Sequence, residues 1–230
     1  PYKAYMVSNT HLDTQWLWTV QTTIDHYLYR TLTQNFWLID HYPGYIFNFE
    51  GAVRYQWAKE YYPTEYERLK NYIKAGRWNI SGSSWDSTDP NIPSPESFFR
   101  NLLYGQEFFK KEFGKKSNDI FLPDCFGFGY TLPTIAAHSG IIGFSTQKLQ
   151  HRKLPFYGDH KLPFMFGLWE GIDGARIMAV PHAQDYVSRF DGQELSNNGK
   201  LVDLAKNGLN NTVYHYYGAG DRGGSPTIAS

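Results

Sequence analysis

Short apolar runs alternate in this chain with longer stretches of helical spacing, and this alternation restricts the folds that the chain can adopt. The predicted strands cover residues 4–8, 45–50, 77–81, 119–122, 140–146 and 212–217, and residues 168–170 and 176–180 form a predicted hairpin. The predicted helices cover residues 19–41, 52–75, 95–113, 133–138 and 201–207. Such alternation is typical of a mainly parallel sheet covered by helices. Because 230 residues without a linker or repeat suit one core, we predict one α/β domain over residues 1–230.

Polar or aromatic side chains follow the predicted strands at the points where the strands end. They are His11, Asp13, Glu50, Trp85, Asp86, Asp124, Gln147, Lys148, His182 and Asp221. In parallel sheets and barrels, active sites form at the carboxyl ends of the strands. Since chance would scatter such groups along the strands, we predict that they form one site at this edge of the sheet.

The first of these groups pairs an imidazole with a carboxylate. His11 and Asp13 are two residues apart, so an extended backbone directs both side chains to the same side. One nitrogen and one oxygen donor suit zinc better than calcium or magnesium, which prefer oxygen ligands. Trp16 then offers an apolar wall on which a sugar ring can pack. The alternative for an isolated His-x-Asp is a surface pair in a loop.

Two acids follow later strands. Asp124 could be the N-cap of the next helix, but that helix is predicted to begin near Leu132, which is too far along the chain. Asp221 lies in Gly218-Ala219-Gly220-Asp221-Arg222-Gly223, which formally matches a dinucleotide-binding fingerprint. We reject that function because no helix, second strand or distant acid follows in residues 224–230. We predict instead that the glycines let the backbone approach a ligand and that Asp221 points into the site, with a simple Gly-Asp turn as the alternative.

A His/Asp metal pair together with two strand-end acids suits retaining glycoside hydrolysis. In that reaction one carboxylate attacks the anomeric carbon, and the other protonates the leaving oxygen and then deprotonates water. The sequence contains no H-E-x-x-H metal motif, phosphate-binding loop or G-x-S-x-G elbow. Metal-dependent polysaccharide deacetylases are an alternative, but they usually carry an Asp-Asp pair and an H-x-x-x-H pair, and neither occurs in this sequence.

Three segments together resemble glycoside hydrolase family 38, the zinc-dependent α-mannosidases, in their order and spacing. They are His11-Leu12-Asp13-Thr14-Gln15-Trp16, Asp124-Cys125-Phe126-Gly127 and Gly218-Ala219-Gly220-Asp221. Residues 82–85 (GSSW) and 91–97 (NIPSPES) look like the bacterial branch of the family. The resemblance implies a seven-stranded parallel (β/α) barrel of the glycoside hydrolase/deacetylase type. It also implies hydrolysis of terminal α-mannosidic bonds with retention of configuration.

The resemblance further implies roles for individual residues. Zinc is expected on His11, Asp13 and Asp124, with Asp124 also the nucleophile and Asp221 the acid/base. The candidate substrate-binding residues are Trp16, Trp85, Phe126 and Lys148.

The sequence departs from the family's pattern in two respects. Arg222 follows the acid/base and would tend to keep Asp221 ionised if it lay close. The fourth zinc ligand of the family is a later histidine, which we expect beyond Ser230, along with the family's helical bundle and β-domains. We therefore expect the chain to be the N-terminal catalytic barrel of a longer enzyme.

The composition narrows the classes of partner. With 22 Lys+Arg and 22 Asp+Glu the net charge is zero, so nothing indicates a nucleic-acid partner. No apolar run is long enough to span a membrane, and the single Cys125 excludes an intrachain disulfide. Aromatic residues make up 18% of the chain, which suits both a core and a carbohydrate site. We predict an α-mannoside or mannose-containing glycan as the partner, with a non-catalytic carbohydrate-binding barrel as a further alternative.

Overall fold

The computed structural model describes residues 1–149, 152–154, 158–160 and 162–230, which form alternating strands and helices. The strands are β1 (Lys3–Thr10), β2 (Phe47–Glu50), β3 (Trp78–Ser81), β4 (Asp119–Phe121), β5 (Gly143–Ser145), β6 (Arg152–Leu154), β7 (Gly158–His160), β8 (Gly167–Glu170), β9 (Arg176–Val180) and β10 (Thr212–Ala219). The helices are α1 (Val20–Thr22), α2 (Tyr29–His41), α3 (Ala52–Tyr61), α4 (Pro63–Lys74), α5 (Pro95–Phe113), α6 (Leu132–His138) and α7 (Gly199–Lys206), and a π-helical segment, Thr23–Leu28, joins α1 to α2.

The strands form two four-stranded sheets and a small hairpin. The first sheet is parallel throughout, in the order β10-β1-β2-β3. The second has the order β4-β5-β9-β8, in which β4, β5 and β9 are parallel and β8 is antiparallel to β9. Strands β6 and β7 pair antiparallel. The predicted α/β class, the mainly parallel pairing and the β8–β9 hairpin are therefore confirmed.

The predicted closed seven-stranded barrel is not confirmed. Among the described residues, no backbone ladder joins β3 to β4 or β9 to β10. Side chains and single backbone contacts occupy these two junctions instead. The Asp119 carboxylate at the start of β4 accepts hydrogen bonds from Ser81 Oγ (2.5 Å) and Gly82 N–H (3.2 Å), and Tyr216 N–H of β10 donates to Ala183 O (2.8 Å). Since β4 is only three residues long, it offers few backbone groups for pairing with β3.

Proline and glycine set the helix boundaries. The predicted helix over 52–75 is divided, because Pro63 lacks an N–H and the preceding Tyr62 leaves the helical region with φ −134°. The helix α5 begins at Pro95 after the Ser94 cap and ends at Gly114, whose φ of 67° is left-handed. Its bounds coincide with the prediction.

Most of the aromatic residues belong to the core. Trp78 lies at the centre of the largest cluster, with its ring 4.6 Å from that of Phe47 and 5.7 Å from that of Phe49. Its indole Nε1 donates to Tyr55 Oη (2.9 Å), and that hydroxyl donates to the Phe49 carbonyl (2.9 Å). The polar atoms of these large rings are thus paired inside the core, which avoids the cost of burying them unpaired.

Among the described residues, no helix is both long enough and apolar enough to cross a membrane.

Candidate active site

A cleft of about 370 Å³ opens at the carboxyl ends of β1, β4 and β10. Six of the eight predicted site residues line it: His11, Asp13, Trp16, Asp124, Phe126 and Asp221. Of the other two, Lys148 contacts Asp124, whereas Trp85 lies elsewhere. The parallel strands explain the convergence, because residues that follow different strands meet at one edge of the sheets.

The imidazole of His11 lies between two carboxylates. Its Nδ1 is 2.7 Å from Glu50 Oε1 and its Nε2 is 2.9 Å from Asp13 Oδ1. Both His11 and Glu50 are buried, with 4% and 2% of their surface exposed. Burial alone disfavours the imidazolium, but the charge of Glu50 and the hydrogen bonds to Asp13 and Glu50 outweigh it and raise the pKa of His11 to about 10. The two carboxylates therefore favour the imidazolium form, which can donate to both of them.

Glu50 is a site residue whose role the sequence does not reveal. It ends β2, and its Oε2 accepts a hydrogen bond from Ser87 Oγ (3.0 Å). The carboxylate thus connects His11 to the loop that carries Ser87 on the cleft wall. The only signal in the sequence is its place at a strand end, since its partner His11 is 39 residues away.

Arg54 holds the turn between His11 and Asp13. It is 1% exposed, and its Nε donates to the carbonyl of Leu12 (2.9 Å). Its Nη1 pairs with Asp86 Oδ1 (3.1 Å). A buried guanidinium needs such partners. The hydrogen bond to the Leu12 carbonyl also fixes the backbone between His11 and Asp13.

Asp124 does not cap a helix. Helix α6 begins at Leu132 and is preceded by Thr131, so the N-cap alternative for Asp124 is wrong. Its Oδ1 pairs with Lys148 Nζ at 2.5 Å. The same ammonium lies 5.0 Å from the ring centroid of Phe126, which gives it a cation–π contact as well.

Asp221 is held by groups from two other parts of the chain. Its backbone is left-handed, with φ 55°, and its carbonyl accepts from Asp13 N–H (2.8 Å). Its Oδ1 accepts from Tyr186 Oη (2.6 Å). Burial and the bond to Asp221 raise the pKa of Tyr186 well above its ordinary value, so the phenol remains a donor.

The glycines before Asp221 make room for protein groups, which corrects the prediction that they admit a ligand. A Cβ on Gly220 would lie 1.7 Å from Cε2 of Tyr186, and one on Gly218 would lie 1.9 Å from the carbonyl oxygen of Asn9. Arg222 points away from the acid: its guanidinium lies 5.4 Å from the ring of Trp18. In the described part of the chain, it forms no ion pair with Asp221.

Only two of the three predicted aromatic wall residues are in the cleft. Trp16 is 58% exposed and Phe126 is 79% exposed, and both line it. Trp85 is half-buried, with its ring 6.0 Å from that of Phe108 on α5. It packs against the largest buried cluster, so Trp85 does not form part of the cleft wall as predicted.

Two of the three predicted zinc ligands, His11 and Asp13, are in contact with each other. His11 and Asp13 meet, and their chemistry suits zinc because Glu50 engages the second ring nitrogen. Asp124 is engaged by Lys148. Within the residues described, no group of three or more His, Cys, Asp and Glu side chains is arranged to hold a metal ion, so the three-ligand site stays a prediction.

Known proteins resemble this chain in sequence and in fold. Alpha-mannosidase G of Dictyostelium discoideum is 40% identical over 230 residues, which cover 98% of this chain and 20% of that protein. Alpha-mannosidase 2C1 of Homo sapiens is 33% identical over 227 residues, covering 97% and 21%. The chain thus spans about a fifth of these relatives, and because both are eukaryotic they give no support to the bacterial-branch assignment.

The fold is also found in a solved structure. An alpha-mannosidase from Enterococcus faecalis V583 superposes with a TM-score of 0.78 at 19% identity, covering 98% of this chain and 26% of that one. The family model of the glycosyl hydrolases family 38 N-terminal domain matches residues 1–229. Because that match takes in nearly every residue, this chain belongs to glycoside hydrolase family 38.

Proposed function

We propose that this domain hydrolyses terminal α-mannosidic bonds with retention of configuration, through a covalent mannosyl-enzyme and with the assistance of zinc. One observation carries the proposal: two carboxylates, Asp124 and Asp221, line the same cleft as the exposed rings of Trp16 and Phe126. Retaining glycosidases need one carboxylate as nucleophile and another as proton donor. The relatives that share 33–40% identity are named α-mannosidases, which supports a mannoside as the substrate.

Asp124 is the nucleophile in this proposal. The ion pair with Lys148 engages Oδ1 and so orients the carboxylate that attacks the anomeric carbon. A carboxylate that is already oriented loses less freedom on reaching the transition state, which lowers the barrier. Lys148 thus acts on the nucleophile as well as lying beside the sugar-facing ring of Phe126.

Asp221 is the acid/base. It protonates the leaving oxygen while the glycosidic bond breaks, and then takes a proton from the water that attacks the mannosyl-enzyme. A mannose that packs on Trp16 and Phe126 would exclude bulk water from that side of the cleft, which would strengthen the local electrostatic interactions.

Zinc is the metal that we propose for the His11–Asp13 pair, with Asp124 as the third ligand. When bound, it supplies positive charge that can hold sugar hydroxyls and stabilise the nucleophilic carboxylate. The Glu50 carboxylate would keep the proton on Nδ1 of His11 and so leave Nε2 free to bind, the usual arrangement around a zinc-bound histidine.

We expect His11→Ala to lose most of its zinc, because it removes the only nitrogen donor of the proposed set. The affinity for zinc should fall by more than about 100-fold. Elemental analysis after dialysis and a direct zinc titration measure the effect. His138→Ala is the control, since His138 is exposed and pairs with Asp173 outside the cleft. Full metal retention in His11→Ala would overturn the proposed ligand set.

We expect Trp16→Ala to raise the KM for mannosides about 10-fold, which corresponds to about 1.4 kcal/mol of lost binding. Because 58% of Trp16 is exposed, its removal leaves little cavity, and the melting temperature should stay nearly constant. Trp37→Ala, at an exposed ring stacked on His41, is the control for loss of an indole. If Trp16 belonged to the core, its removal would cost about 3–5 kcal/mol of stability with a normal KM.

A further inference from the structure

Tyr186 connects the hydrophobic core to the carboxylate of Asp221. Its side chain packs in a buried cluster with Val180, Ala183 and Tyr216, and only 8% of the residue is exposed. Its hydroxyl reaches out of this cluster and donates to Asp221 Oδ1 at 2.6 Å. The described residues that line the cleft do not include Tyr186, so its contact with the site runs through Asp221.

The position of the Tyr186 ring is determined from three sides. Its backbone N–H donates to Oε1 of the buried Gln147 (2.7 Å). Its ring lies against the backbone of Gly220, where a Cβ would come within 1.7 Å of Cε2. A further neighbour is the imidazole of His11, with ring centroids 5.6 Å apart. A ring confined in this way presents its hydroxyl at one point.

The backbone of Asp221 is held independently of its side chain. The Asp13 N–H donates to its carbonyl (2.8 Å), and its φ of 55° is rare for a residue other than glycine. With the backbone fixed by the end of β1 and Oδ1 fixed by Tyr186, the remaining freedom of the carboxyl group is small. Oδ2 is the one oxygen without a partner among the described residues.

We propose that Tyr186 is a positioning residue for the acid/base, which by donating to Oδ1 fixes the carboxyl plane of Asp221 and reserves Oδ2 for proton transfer. This inference rests on the proposed function. In the first step the proton passes from Oδ2 to the leaving oxygen as the glycosidic C–O bond breaks and the nucleophile bonds to the anomeric carbon. In the second step Oδ2 takes a proton from water, whose oxygen bonds to that carbon and displaces the nucleophile. Tyr186 keeps its own proton in both steps.

The test compares kcat/KM for two mannosides in Tyr186→Phe. Methyl α-mannoside requires a proton donor, whereas 2,4-dinitrophenyl α-mannoside has a leaving group that departs without one. We expect a 10- to 100-fold loss on the methyl glycoside, since a small misplacement of a reacting group costs about 100-fold. The loss on the dinitrophenyl glycoside should be below about threefold. A merely structural role would lower both rates alike.

Tyr216→Phe is the matched control. Tyr216 lies in the same cluster, and its buried hydroxyl has no hydrogen-bond partner among the described residues. Its removal should leave both rates unchanged. If Tyr186→Phe does not fold, Gln147→Ala provides the second variant, because it removes the acceptor of the Tyr186 backbone N–H and loosens the ring while the hydroxyl is retained. The same substrate-dependent loss is expected.

These measurements distinguish a failure of the positioning role of Tyr186 from a failure of the proposed mannosidase function. A leaving-group-dependent loss in Asp221→Ala without any loss in Tyr186→Phe overturns only the positioning role. An equal loss on both substrates in a folded Tyr186→Phe protein also overturns it. A wild-type protein that turns over neither mannoside overturns the proposed function and the positioning role together.

Discussion

Replacing Asp124 with alanine is expected to lower mannoside turnover at least about 10⁴-fold in the protein that contains this chain. Without the Asp124 carboxylate the proposed mannosyl-enzyme cannot form. The fold should survive, because Asp124 caps no helix and its side chain is 25% exposed. The melting temperature should therefore stay near the wild-type value while the activity is lost.

A mechanism-based probe identifies the nucleophile directly. A 5-fluoro or 2-deoxy-2-fluoro mannosyl fluoride should label Asp124. The ring fluorine slows both formation and hydrolysis of the covalent intermediate, whereas the fluoride leaving group restores only its formation, so the intermediate accumulates. Peptide mass mapping locates the label. Asp173→Ala is the control, since Asp173 pairs with His138 away from the cleft and its removal should leave labelling intact. A label on any other residue would transfer the role of nucleophile from Asp124.

The positions of Asp124 and Asp221 are predictable from the sequence because they depend on local patterns. Each follows an apolar run that becomes a strand, β4 or β10. Parallel strands bring their carboxyl ends to one edge whatever the exact register, so errors of a few residues in strand bounds do not move these side chains out of the site. The bounds of α5 are predictable for a similar reason, since Pro95 and Gly114 mark its ends.

The contacts that orient these groups are not predictable in this way. Glu50 is 39 residues from His11, and Tyr186 is 35 residues from Asp221. Neither contact has a spacing that sequence periodicity predicts, and each joins segments that only the tertiary fold brings together. The glycine-rich segment illustrates the same difficulty, because what Gly220 accommodates is the ring of Tyr186 rather than a ligand.

The direction of the Trp85 side chain and the pairing of β3 with β4 cannot be predicted from composition. An aromatic residue after a strand can point into the cleft or into the core, and Trp85 packs near Phe108 because α5 covers that side. Closure of a barrel likewise depends on strand length. The short strand β4 leaves its junction with β3 to the side chain of Asp119, a contact that no hydropathy pattern encodes.

Replacing Asp221 with alanine is expected to lower kcat/KM for methyl α-mannoside by about 10²- to 10⁴-fold, which is the usual contribution of general acid catalysis. For 2,4-dinitrophenyl α-mannoside the same constant should change by less than about threefold, because formation of the mannosyl-enzyme no longer needs a proton donor. Hydrolysis of that intermediate still needs a base, so kcat should fall and the intermediate should accumulate. A burst of dinitrophenol followed by slow turnover reports this accumulation.

Azide distinguishes a lost base from a disrupted site in Asp221→Ala. As an anion that needs no deprotonation, azide should react with the accumulated mannosyl-enzyme, restore kcat on the dinitrophenyl glycoside and yield α-mannosyl azide with retained configuration. Arg222→Ala is the control within the same loop, because its guanidinium lies over Trp18 and away from Asp221. That variant should keep the wild-type ratio of rates on the two substrates. An equal loss on both substrates in Asp221→Ala, without azide rescue, would remove Asp221 from the acid/base role and leave it a structural part of the cleft.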